Sequence, residues 1–350
     1  MKKFTFVLIF LGLNLFASDK LIIAHRGASA YLPEHTLESK VLAFAQGVPY
    51  IEQDVVLSKD DRLVVIHDLY LDKTSDVAQK FPERKRKDGH YYVIDFTLDE
   101  LKSLKMSEGF KGENDSVNAY PKRFPTKKAD FTINTLEEEI ELIQGLNKTL
   151  NKNVGIYVET KRPWFHKQEG KDISKLTLEV LKKYGYTNKD SKVYFQSFDY
   201  PDLVRVKKEL LPQMGMDIKL VGLIGLNEWE ETFEFKNGKW QNYDFSYLLN
   251  IKNYAEISKI VDGLGPSYIL LFDERELKNH KIVPNNFVKN AHKYNIKVHP
   301  YTIRADALPS WAKSADELFD AILFKAGADG VFTDFPDLGL EFLRRVRCYR

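Results

Sequence analysis

At 350 residues, with 43% apolar and 29% charged side chains, the chain has the length for one large core and the composition of a globular enzyme. Its 52 Lys and Arg almost balance 50 Asp and Glu, for a formal charge of +2. So neutral a chain has no long-range field to gather a polyanion, which argues against general nucleic-acid binding.

The first element expected is an export signal. Lys2 and Lys3 precede an almost unbroken apolar run over 4–16, and Ala17-Ser18 then supply small residues for cleavage. The run is shorter than the ~20 apolar residues of a comfortable membrane span. The expected division is a signal peptide at 1–17 and one mature domain at 18–350, with no stable membrane insertion. No cysteine stands near the cleavage point, so a lipoprotein anchor is not expected.

From residue 21 onward, short β-branched runs alternate with longer amphipathic stretches, the pattern of a parallel sheet wrapped by helices. Strands are expected at 21–24, 50–57, 154–158, 193–196, 220–224, 262–265, 298–303 and 331–333. Helices are expected at 36–46, 173–184, 202–211, 254–261, 315–326 and 338–346. Eight parallel strands point to an α/β fold, the (β/α)8 TIM barrel. The run at 63–66 follows the second strand after only a short polar turn, too short for a parallel crossover. It reads as the return strand of a hairpin, which brings His67 back beside residue 53, between Glu52 and Asp54. If 63–66 were instead a barrel strand, the glycine-rich 262–265 would be a loop.

Two stretches fit no barrel unit. Residues 69–131 are too many for a loop in a compact domain without structure of their own or a lid role. They carry Arg84-Lys85-Arg86-Lys87 beside Phe81, Tyr91 and Tyr92, which reads as a solvated charge run, with attraction to anionic membrane surfaces as the alternative. Residues 227–248 form a smaller aromatic-rich excursion.

Cys348 is the single cysteine, so any metal must be held by oxygen or imidazole ligands. Ala24-His25-Arg26-Gly27 closes the first strand, at the end where barrel active sites form. Glu52 and Asp54, two apart on a strand, share one face, where both stay ionised only with positive charge between them. Glu159 and Lys161 repeat the spacing on another strand. Three carboxylates suit a hard cation such as Ca²⁺ or Mg²⁺, while zinc on His25 and His67 is the competing reading. Phosphodiester cleavage asks for such a set. A cation with Arg26 and Lys161 meets charge building on phosphorus, and two imidazoles serve as acid and base near neutral pH. Asp68 is placed to orient an imidazole, Glu34 is a further ligand or orienter, and Phe198 and Tyr301 form an apolar wall or pack in the core.

His25-Arg26-Gly27, Glu52-x-Asp54, His67-Asp68, Glu159-x-Lys161, Gln196-Ser197-Phe198 and Gly330-Val331-Phe332-Thr333-Asp334 occur in the order of the glycerophosphodiester phosphodiesterase family. The chain resembles that family over essentially the whole mature length, most closely its periplasmic bacterial members. Residues 31–36 look like the first loop of those members, 299–304 like their late strand, and 69–131 like the family insertion. The resemblance implies Ca²⁺ on Glu52, Asp54 and Glu159, with Mg²⁺ as the alternative, and His25 and His67 as the acid–base pair. It also implies a periplasmic location. The implied substrates are small glycerophosphodiesters such as glycerophosphocholine, glycerophosphoethanolamine and glycerophosphoglycerol, each giving sn-glycerol 3-phosphate and an alcohol. Thr160, where an apolar residue is usual, and Tyr301, where many cytosolic relatives have Trp, depart from the family pattern. Two other readings stand beside this one, a phospholipase C or D acting on intact lipid and a non-catalytic surface-binding barrel. A homodimer is left open.

Overall fold

The computed structural model describes residues 20–111 and 117–348, so the expected signal peptide lies outside the described residues. Eight strands run parallel: β1 (Leu21–Ala24), β2 (Tyr50–Leu57), β3 (Gly155–Thr160), β4 (Val193–Ser197), β5 (Lys219–Ile224), β6 (Gly263–Pro266), β7 (Lys297–Val298) and β8 (Gly330–Thr333). They pair in chain order from β1 to β7, and β8 pairs with β1. The ring closes between β7 and β8. Asp329 N–H donates to Val298 O (2.9 Å), Phe332 N–H to Pro300 O (3.0 Å) and Ile303 N–H to Phe332 O (2.9 Å). This is the expected TIM barrel. Its seventh strand is shorter than the expected 298–303, because Pro300 has no N–H to donate to a ladder. Beyond Val298 only isolated parallel bridges continue, at Tyr301 and Ile303.

Alternation along the strands sorts the core into two layers. Ile23, Tyr50, Tyr157, Tyr194, Val221 and Phe332 point inward and fill the barrel, with Tyr157 and Tyr194 stacked at 4.6 Å. Gly155 makes room for this layer, since a Cβ there would lie 2.4 Å from the Tyr50 ring. Ile22, Ile51, Ile156 and Val193 belong to the larger core that includes the helices. The side chains two positions beyond five of the inward residues are His25, Glu52, Glu159, Gln196 and Asp334. The barrel's own periodicity therefore lifts a polar layer onto the carboxyl rim, above an aromatic floor.

The expected hairpin is present. Leu63–Val65 runs antiparallel to β2 with Val55 opposite Val65, and Ile66 N–H donates to Asp54 O (3.0 Å). Its outer edge pairs with Asn134–Thr135, which leads into a helix at Leu136–Leu150 that the sequence reading did not assign. The Thr135/Glu138 capping box marks that helix start. The helix expected at 254–261 shrinks to Tyr254–Ile257, and the one expected at 202–211 opens earlier, at Tyr200, where Asp199 caps Asp202 N–H.

The 69–131 excursion has a core of its own, in which Leu69, Val93, Phe96, Leu101 and Phe131 pack with Val56 and Val64 of the hairpin. The basic cluster keeps Lys85 and Lys87 exposed, as a solvated run would, while its two arginines are also held on rings and carboxylates. Arg84 lies over Phe96 (4.5 Å) and Arg86 over Tyr92 (4.1 Å), and Arg86 also forks onto Asp95 (2.7 Å twice) and reaches Glu169 (2.9 Å). In the second excursion Phe233–Lys236 and Lys239–Asn242 form a hairpin whose Phe233 packs on Trp164 (4.7 Å). No helix among the described residues is long and apolar enough to cross a membrane.

Candidate active site

Nine of the residues singled out from sequence, namely His25, Arg26, Glu52, Asp54, His67, Glu159, Lys161, Phe198 and Tyr301, line one cleft of about 200 Å³ at the carboxyl rim, while Glu34 and Asp68 stand outside its lining. Glu52, Asp54 and Glu159 are each at most 5% exposed, and one oxygen from each falls within 4.8 Å of the others. Arg26 sits in the left-handed region (φ 58), which turns its backbone N–H onto Glu52 Oε2 (2.8 Å). Its guanidinium donates to Glu34 Oε2 (2.6 Å), so Glu34 braces Arg26 from outside the carboxylate cluster. Gln196 Nε2 donates to Glu52 Oε1 (3.2 Å), and Lys161 Nζ to Glu159 Oε1 (2.6 Å). Asp54 Oδ1, fully buried, has no hydrogen-bond partner.

Charge in this cluster is unevenly compensated. Burial, then the neighbouring Asp54 and Glu159, push the Glu52 carboxyl well above its usual range. Burial lifts Glu159 to about 8 against the pull of Lys161. Burial also opposes ionisation of Asp54, but Lys161 and His35 overcome it and hold Asp54 well below the usual range. A divalent cation would supply the missing positive charge, and the orphaned Asp54 oxygen and all-oxygen donor set fit a hard ion.

Each imidazole has a carboxylate on Nδ1, leaving Nε2 as the ring nitrogen for the cleft. His25 Nδ1 lies 2.6 Å from Asp334 Oδ1, and burial, then Arg26, lower its pKa to about 4 despite Asp334. His67 ends the hairpin, one third exposed, with Nδ1 2.7 Å from Asp68 Oδ1. Phe198 meets Tyr301 edge to face (5.7 Å), and Tyr301 Oη donates to Ile224 O (2.9 Å).

Several neighbours were not given a role from sequence. Asp334 stood in a quoted motif without one. Its other oxygen accepts from Arg123 Nη2 (2.7 Å), and Arg304 Nε lies 3.2 Å away. Arg123 comes from the 69–131 excursion, where no periodicity or spacing signals it, and forks onto Asp306 as well (2.8 and 3.1 Å). The excursion therefore reaches the carboxylate that orients His25. Arg123→Ala would leave the buried Asp334 and the half-buried Asp306 each short of a partner, at a cost of about 3 kcal/mol in denaturant unfolding. With less of the Asp334 charge neutralised, His25 would hold a proton more tightly. The acid limb of the pH–rate profile would then move to higher pH. An unmoved limb would separate Arg123 from the chemistry.

A barrel with this rim is a metal-assisted hydrolase. Residues 25–338 match the model of the glycerophosphoryl diester phosphodiesterase family, and the chain belongs to that family. It is 55% identical over 332 residues to a glycerophosphodiester phosphodiesterase of Haemophilus influenzae, covering 94% of this chain and 91% of that protein. It is 44% identical to one from Treponema pallidum, covering 95% and 94%. A phosphodiesterase from Oleispira antarctica, solved in complex with the product sn-glycerol-3-phosphate, is similar in structure with a TM-score of 0.57. It is 25% identical and covers 93% of this chain and 96% of its own.

Proposed function

We propose that this protein hydrolyses small glycerophosphodiesters to sn-glycerol 3-phosphate and an alcohol, with Ca²⁺ as the preferred cation and Mg²⁺ as the alternative. The observation that carries the reading is the carboxylate trio of Glu52, Asp54 and Glu159 beside two imidazoles, each with its Nδ1 on a carboxylate. Those three residues would hold the cation. When bound, it supplies positive charge to the nonbridging oxygens of the phosphoryl group. Arg26 and Lys161 add fixed positive charge at the same oxygens. His25, held neutral in the physiological range, takes at Nε2 a proton from the attacking water, whose oxygen bonds to phosphorus, and Asp334 stabilises the imidazolium. The phosphorus–oxygen bond to the headgroup breaks as His67 delivers a proton to the leaving alkoxide. Phe198 and Tyr301 wall the glycerol moiety.

A coupled assay for glycerol 3-phosphate released from glycerophosphocholine, with Ca²⁺ present or chelated, tests this reading. Calcium-dependent release, with no release of lipid products from liposomes, is the expected result. Turnover of intact lipid alone would favour a phospholipase, and no turnover of any diester would favour a binding barrel.

The described chain is read as one barrel domain carrying two excursions. The basic start and apolar run of the first 17 residues support export and a periplasmic location. Mass spectrometry of the periplasmic protein's N-terminus checks it, with the mature chain expected to begin near Ser18.

A further inference from the structure

Behind the strand that carries Glu52 and Asp54 lies a buried polar chain that the hydrolytic steps do not use. His35, 3% exposed, is pinned on the loop after β1. Its N–H donates to Arg26 O (3.0 Å), and its carbonyl accepts from Asn134 Nδ2 (2.8 Å). Its Nε2 lies 2.8 Å from Asp54 Oδ2 and its Nδ1 3.1 Å from Lys40 Nζ. Lys40, on the helix Leu37–Gln46, has no exposed surface, and its ammonium faces three acceptors. They are His35 Nδ1, the backbone carbonyl of Glu52, and the carboxylate of Glu139 at 3.3 Å on the Leu136–Leu150 helix.

An ammonium group donates and never accepts. Nδ1 of His35 must therefore accept from Lys40, so the ring proton resides on Nε2 and is donated to Asp54 Oδ2. The opposite tautomer would set a ring lone pair against a carboxylate lone pair at 2.8 Å and turn the carboxylate away. We infer that Glu139, Lys40 and His35 form a positioning relay that fixes the His35 tautomer and so holds Asp54 with Oδ2 engaged and Oδ1 turned to the cation. Asp54 Oδ1 is the oxygen without a hydrogen-bond partner. An apolar pair in place of Lys40 and Glu139 would fill the same space without burying charge, so the distinctive work of the ion pair is to fix the donor at His35. Two helices joined by the Lys40–Glu139 ion pair thereby set the orientation of one ligand. The inference rests on the reading of Glu52, Asp54 and Glu159 as the cation site.

Two readouts test it without relying on turnover. Ca²⁺ alone is titrated calorimetrically into the chelator-stripped full chain, and the His35 tautomer is read from long-range ¹H–¹⁵N correlations. The double variant Lys40→Met/Glu139→Leu removes both charges together, leaving neither buried alone. It should bind Ca²⁺ about 10- to 100-fold more weakly, the range seen when an outer partner of a metal ligand is lost, and should lose the single Nε2–H signature. His35→Ala should weaken binding as much, while His35→Gln, whose amide N–H can still donate to Asp54, should recover most of it. Wild-type affinity with an unchanged tautomer in the double variant would overturn the relay, while Asp54→Asn, weakened in the same titration, would leave the cation site standing. Wild-type affinity in Asp54→Asn would overturn site and relay together. If the double variant does not fold, the wild-type spectrum still decides, because an Nδ1–H ring or an imidazolium at His35 contradicts the relay.

Discussion

His25→Ala and His67→Ala are each expected to lose about 10²–10⁴-fold in turnover, the usual contribution of a general acid or base. The fold should survive in His25→Ala, because Asp334 keeps Arg123 and Arg304 as partners. Ca²⁺ affinity should stay near wild type in both, since the three carboxylates are untouched. The two variants should part company on a substrate whose leaving group is p-nitrophenol, which departs without a proton. His67→Ala should recover most of its rate there, and His25→Ala should remain slow. This division follows from position. His25 is buried, kept neutral and turned onto the carboxylate cluster, while His67 stands one third exposed on the hairpin. Equal rescue of both variants would reverse or abolish the assignment, and a collapse of calcium affinity in either would make that histidine a ligand.

Glu52→Gln, Asp54→Asn and Glu159→Gln should each weaken Ca²⁺ binding by more than the 10- to 100-fold typical of an outer partner, because each removes charge and a donor oxygen at once. A pH signature accompanies the binding. With no cation, burial and like charges raise the Glu52 carboxyl well above its usual range, and burial lifts Glu159 to about 8. The Glu159 carboxyl should ionise as a cation enters, so Ca²⁺ binding below pH 8 should release protons, and apparent affinity should rise as pH approaches that value. Calorimetry at pH 7 in buffers of different ionisation enthalpy counts the released protons. Heats that do not depend on the buffer would mean that Glu159 is already charged. Folding is linked in the opposite sense. A carboxyl whose folded-state pKa is raised favours the fold at low pH, so the cation-free protein should lose stability as pH climbs from about 5 toward 8. Glu159→Gln should flatten that loss.

Much of this was readable from spacing alone. Glu52 and Asp54 share a face because strands alternate, and the short polar turn at 58–62 forced a hairpin that carried His67 to them. What escaped was held by partners distant in the chain. His25 and Asp334 are 309 residues apart, and Arg123 meets Asp334 across 211. No local pattern announces either pairing. His35 was visible as a loop residue, but its link to Asp54 depends on Lys40 and Glu139, which on their helices look like ordinary surface charges. The helix at 254–261 was overextended because apolar spacing continues past the point where packing allows a regular turn. The Arg84–Lys87 run is exposed at Lys85 and Lys87 as expected, but composition could not reveal that Arg84 and Arg86 lie on the rings of its own excursion.

The seam between the two ends of the chain has a consequence for biosynthesis. β1 finds its outer neighbour only in β8, so the ring stays open until β8 has been synthesised. The same late strand delivers Asp334 to His25. A nascent chain without β8 would thus lack both a closed barrel and the carboxylate on His25 Nδ1.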